Sequence, residues 1–149
     1  MKYLLFVFTL ALLSFAPIEA SWVKDMQQAK QAAVAEHKLI LLNFSGSDWC
    51  GPCMRMHKEI FVSDSFLQLA QNNLVLVNAD FPRQKKNQLA KAQQQANDQM
   101  ADTYNKNGLF PLTVLLRADG TLLKSWEGFP KQGQAGFVEE LRQAIHAAQ

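Results

Sequence analysis

The sequence predicts an α/β fold built on a mostly parallel sheet with an antiparallel edge. Three observations carry this. Continuous apolar runs at Leu39–Phe44, Leu74–Val77 and Leu112–Leu116 alternate with stretches of helical periodicity. Asp119-Gly120 lies between two short apolar runs, which signals a hairpin. The chain of 149 residues suits one domain, large enough to hide roughly two-thirds of its unfolded surface.

The N-terminus is read as export rather than fold. Lys2 precedes an almost unbroken apolar run from Tyr3 to Phe15, and Ile18-Glu19-Ala20 ends on a small residue. Residues 1–20 are therefore expected to be a signal peptide and residues 21–149 the mature domain. The run falls short of the ~20 residues of a spanning helix. An uncleaved anchor is the alternative, and no stable membrane insertion is expected after cleavage.

Ser21–His37 reads as the first helix, capped by Ser21, with Trp22, Met26, Ala29 and Ala33 on one stripe. Leu39–Phe44 is a strand buried on both faces. Ser45–Trp49 is a loop, and a second helix runs from Cys50 to about Ile60. Ser63–Gln71 is a short helix capped by Ser63 or Asp64. After the strand Leu74–Val77 comes a Gln-, Asn- and Lys-rich stretch, Asp80–Asn107. It is expected to be a long helix from near Pro82, with Leu89, Ala92, Ala96, Met100 and Tyr104 on its apolar stripe. A low-complexity linker is the competing reading. Thr121–Trp126 returns the hairpin, and Gln134–Ala148 closes the chain as an amphipathic helix.

Net charge is +2, with Lys and Arg scattered. Arg83, Lys85 and Lys86 form a short cluster that reads as a solvated helix face, so no nucleic-acid partner is expected. The chain has two Cys, and they are three residues apart. A bridge that closes so small a loop stabilises by only about 2 kcal/mol on the chain-entropy formula. The pair makes more sense as chemistry.

Trp49-Cys50-Gly51-Pro52-Cys53 follows a buried strand and opens a helix. A helix N-terminus carries partial positive charge and unpaired N–H groups. Cys50 can there hold its sulfur as thiolate, the species that attacks a disulfide. Gly51 permits close approach of the backbone. Pro52 suits the first turn, where its missing N–H costs nothing. Cys53 lies one turn deeper, placed to release the product. Cys50 is thus the candidate nucleophile and Cys53 the candidate resolving thiol. A metal site usually needs two further ligands, and His37, His57 and His146 are the only histidines. No metal or cofactor is expected.

Strand, WCGPC, helix and a later proline at a strand start resemble the thioredoxin family, from about Leu39 to the C-terminus. The approach Ser45-Gly46-Ser47-Asp48-Trp49 resembles the exported bacterial members. The resemblance implies a thioredoxin fold, with a central mixed sheet of four to five strands and helices on both faces. It implies a cis-proline at Pro111, with the backbone of Phe110 pairing with the substrate chain. It also implies periplasmic or secreted action on protein disulfides. With no nicotinamide or flavin fingerprint, electrons must come from another protein, and a membrane electron donor is expected outside the cytoplasm. The domain is expected to be a monomer.

Three features depart from the cytosolic family pattern. Asn43 stands where a buried Asp is usual, Leu76 lies near the place of the usual Lys, and Asp80–Gly108 is longer. Candidates to move or tune a proton are His57, four residues after Cys53, and Asp48, beside Trp49; Asn43 itself cannot accept one. Gly-Pro between the cysteines resembles the reducing members, so a reductase is expected. A non-catalytic partner-binding module and a copper-handling protein using Cys50, Cys53 and His57 are the alternatives.

Overall fold

The computed structural model describes residues 20–148, so the expected signal peptide lies outside the described residues except for Ala20. Five strands form one mixed sheet in the order β1-β3-β2-β4-β5. They are β1 (Trp22–Val23), β2 (Leu39–Ser45), β3 (Leu74–Asp80), β4 (Leu112–Leu116) and β5 (Leu122–Glu127). β1, β3 and β2 run parallel, and β4 and β5 add the antiparallel edge. The helices are α1 (Met26–Glu36), α2 (Gly51–Met56), α3 (Asp64–Asn73), α4 (Lys91–Tyr104) and α5 (Gly133–Ala148). This is the predicted thioredoxin fold at its five-stranded limit.

The alternation of side chains along each strand divides the core in two. Leu41, Leu76 and Leu115 face a cluster with Met56, Phe66, Phe137 and Leu141. Ile40, Leu42, Val77 and Val114 face the other, with Ala29 and Ala33 of α1 and Met100 of α4. Both faces of β2 are therefore covered, which is why it reads as unbroken apolar sequence.

The N-terminal segment departs from expectation. Asp25, not Ser21, caps α1, its carboxylate accepting the Gln28 N–H at 2.9 Å. Trp22 and Val23 instead pair with Leu76 and Val77 at the sheet edge. A capping oxygen at Asp25 fixes the helix start, and the apolar pair before it gains more as a strand. Trp22 stacks on Phe66 with centroids 6.5 Å apart.

The stretch after β3 also differs. It is ordered, but no helix begins at Pro82. A single 3₁₀ turn occupies Lys85–Asn87, and α4 starts only at Lys91. Its buried face is Asn97 and Met100 rather than a stripe through Ala92, which is exposed. Asn97 donates to the Asp80 carbonyl at 2.7 Å and accepts from the Gln93 amide at 2.8 Å. A polar residue thus docks the helix by satisfying a backbone oxygen, a contact that apolar periodicity cannot reveal.

Candidate functional site

The site forms where β2 ends and α2 begins. Gly46 turns the chain, its carbonyl accepting the Cys50 N–H at 2.9 Å. Gly46 is buried, and a Cβ there would collide with the indole of Trp49. Glycine is therefore required by close approach, a demand the sequence alone did not single out. The indole N–H of Trp49 donates to the Phe81 carbonyl at 2.7 Å.

Cys50 is the N-cap of α2, and its sulfur accepts the Cys53 N–H at 3.2 Å. The sulfur thus sits among the orphan donors of the first turn, as the motif requires. Pro52 falls in that turn. The two cysteines are joined in a disulfide. In this oxidised form they are equally shielded, each 5% exposed. The helical run reaches Phe61, close to the expected end near Ile60, but only its first part is α. α2 ends at Met56 and continues as a π-helical turn, His57–Phe61.

The Phe110–Pro111 peptide is cis. It precedes β4, which pairs with β2 so that Leu112 lies opposite Phe44, near the strand end from which the cysteine loop emerges. The Pro111 carbonyl is taken by the Gly128 N–H at 2.8 Å. Among the described residues no backbone hydrogen bond engages Phe110. Its ring lies edge-on to Trp49 at 5.3 Å and to Phe81 at 5.5 Å.

Beneath α2 runs a buried polar row. Register sets Asn43 opposite Asn78 on β3 and Thr113 on β4. Asn43 donates to Asn78 Oδ1 at 3.1 Å and accepts from the Thr113 hydroxyl at 3.1 Å. Ser45 lies 3.3 Å from Asn78 Oδ1 and 3.2 Å from Asp80 Oδ1. Asn78, not Leu76, faces Asn43; Leu76 pairs with Leu41 two residues earlier and turns into the core. An amide pair occupies the place where the family resemblance implies an Asp and a Lys. Asn78, Thr113 and Ser45 escaped sequence reasoning because strand register decides who faces whom.

A pocket of about 380 Å³ opens over this row, lined by Cys53, Asn43, Ser45 and Asn78 within and by Met54 and His57 at its exposed rim. The structure therefore brings His57 to the same pocket as Cys53.

Asp48 is engaged elsewhere. Its carboxylate accepts the backbone N–H groups of Arg83 and Gln84, each at 2.9 Å, and the Asn87 amide at 2.9 Å. The Arg83 and Asn87 bonds, in that order, hold its carboxyl below the usual carboxylate range. Asp48 thereby fastens the segment after β3 to the loop that precedes Cys50.

A family model for a thioredoxin-like domain matches residues 26–145. The chain is 34% identical over 125 residues to the disulfide bond reductase DsbH of Chlamydia pneumoniae, covering 84% of this chain and 70% of that protein. A solved DsbH oxidoreductase superposes with a TM-score of 0.76 at 32% identity, covering 93% of this chain and 95% of that one. The oxidised C-terminal domain of Neisseria meningitidis DsbD shares the fold at 20% identity, with a TM-score of 0.54 over 78% of this chain and 90% of that one. Together with Cys50 as the N-cap of α2 and its bond to Cys53, these likenesses show that the chain belongs to the thioredoxin-like family.

Proposed function

We propose that this chain reduces protein disulfides outside the cytoplasm. It is a thiol–disulfide oxidoreductase, and the observation that carries the direction is Cys50-Gly51-Pro52-Cys53 at the N-cap of α2, in a chain related to a disulfide bond reductase. In the reduced protein the Cys50 thiolate attacks one sulfur of a substrate disulfide. The substrate S–S bond breaks, one substrate thiolate leaves, and a mixed disulfide forms. The Cys53 thiolate then attacks Cys50 Sγ and expels the second substrate thiol. Two electrons have passed to the substrate, leaving the Cys50–Cys53 disulfide.

Phe110 and Pro111 receive the substrate. The unengaged Phe110 backbone can pair with an extended chain laid beside the sulfur. Trp49 and Met54 offer apolar contact, and Gly51 leaves the approach open. His57, at the rim of the Cys53 pocket, accepts the proton that Cys53 must lose before it attacks. Asn43 orders the polar row and carries no proton. The domain works as a monomer in the periplasm or an equivalent space, after cleavage between Ala20 and Ser21. A membrane protein with a reduced dithiol restores it.

Insulin turnover with dithiothreitol tests this reading, and Cys50→Ser should abolish it. The Cys50–Cys53 potential should lie near thioredoxin's value of about −270 mV rather than the strong oxidant's value of about −120 mV. A potential near the latter would overturn the reductase direction.

A further inference from the structure

We propose that Arg83 selects substrates that carry an acidic side chain beside the disulfide under attack. This rests on the reading of the chain as a disulfide reductase and names the substrate class.

Arg83 does not lie on a helix face. It precedes the 3₁₀ turn, in the segment that Asp48 fastens down. Its guanidinium lies over the Trp49 ring, 3.6 Å from the centroid. Trp49 also touches Phe110, the residue from which a substrate strand would be held. The cation is thus one aromatic ring from the docking edge.

Its charge has no internal partner. Asp48, the nearest acid to be expected, spends its oxygens on the Arg83 and Gln84 backbone N–H groups and on Asn87. Among the described residues the Arg83 side chain makes no ion pair and no hydrogen bond. Arg55 provides the contrast. It also stacks on an aromatic ring, that of Phe129 at 3.9 Å, but Glu59 neutralises it at 2.9 Å. Lys85 and Lys86, exposed two and three residues on, add charge of the same sign.

The contact with Trp49 restricts the guanidinium, while Arg83 stays exposed and its side-chain N–H donors have no partner among the described residues. That arrangement suits a carboxylate, which such donors can grip with two parallel bonds. A planar group held in advance also loses less freedom on binding than a free lysine would.

The test uses three peptide disulfides that differ only in one residue flanking the cysteine: Glu, Gln or Lys. The native protein should show kcat/KM for the Glu peptide roughly two- to fivefold above that for the Gln peptide, the range of an exposed ion pair, with the Lys peptide slowest. About 1 M salt should flatten the series. In Arg83→Gln the Glu-to-Gln ratio should fall to about one, and in Arg83→Glu the order should invert. The substitutions leave the backbone N–H that Asp48 holds, so each ratio is read on a folded protein. Turnover without charge preference, or a preference that survives in Arg83→Gln, overturns this proposal alone. Failure to turn over any of the three peptides overturns the reductase reading and this proposal with it.

Discussion

At the scale of single residues, Cys50 and Cys53 are alike in burial and unlike in surroundings. The Cys50 sulfur accepts an N–H at the helix cap, whereas Cys53 faces the pocket over the polar row. Reduced protein should therefore alkylate faster at Cys50 than at Cys53 at neutral pH, measured with iodoacetamide on each single-Cys variant. Cys53→Ser should accumulate reductant-sensitive adducts with substrates in its host, because no internal thiol remains to resolve them. Equal alkylation rates would undo the assignment of roles. The polar row supports a second prediction. Asn43→Leu leaves the Thr113 hydroxyl, which is fully buried, with only the weak acceptor Met56 Sδ at 3.9 Å. Urea denaturation should show a loss of roughly 1–3 kcal/mol, the cost of an unsatisfied buried polar group. An unchanged midpoint would mean that the row contributes nothing to stability. The sequence marked Asn43 but not its partners. A strand pattern says that Asn43 points to one face; only pairing with β3 and β4 says that an amide and a hydroxyl wait there.

At the scale of elements, the segment from Asp80 to α4 is fastened to the loop that precedes Cys50. Asp48 and Trp49 grip it from the cysteine side, and Asn97 secures it from the helix side. Asp48→Ala should release Arg83 and Gln84 and alter the surroundings of Trp49. Tryptophan fluorescence and hydrogen exchange at residues 82–88 would report the change. The sign of the pH effect follows from the lowered pKa of Asp48. A carboxylate depressed in the folded state contributes above its unfolded pKa. That contribution is lost as the pH falls through the folded value, so the grip should loosen only in acid, below about pH 4. Loosening between neutral pH and about pH 6 instead would point to a different group. Sequence reasoning found the length of this segment but not its start, because Asp48 lies some 35 residues away from the N–H groups it captures.

At the scale of the whole molecule, the first described strand ties the N-terminus to the core. Trp22 packs 4.9 Å from Phe61 and 6.5 Å from Phe66, and Ala20 rests against the same cluster. The cleavage proposed between Ala20 and Ser21 would keep β1 in the mature chain. Mass spectrometry of the exported protein should therefore find Ser21 at its start. A chain truncated to begin at Lys24 should lose roughly 3 kcal/mol or more, since it discards a packed tryptophan and an edge strand. Full stability in that truncated chain would show β1 to be dispensable. Taken alone, the sequence determined the α/β class, the hairpin at Asp119-Gly120, the α5 stripe and the cysteine pair at the start of α2. Each depends on local chemistry: period, turn residues, or a cysteine at a helix start. The tertiary structure alone decided that Trp22 is a strand residue, that Asn78 faces Asn43, that Gly46 makes room for Trp49, and that Arg83 lies over that same ring. All four depend on which distant segments meet, and in a sheet that is set by register and by packing across the whole core rather than by any residue's neighbours along the chain.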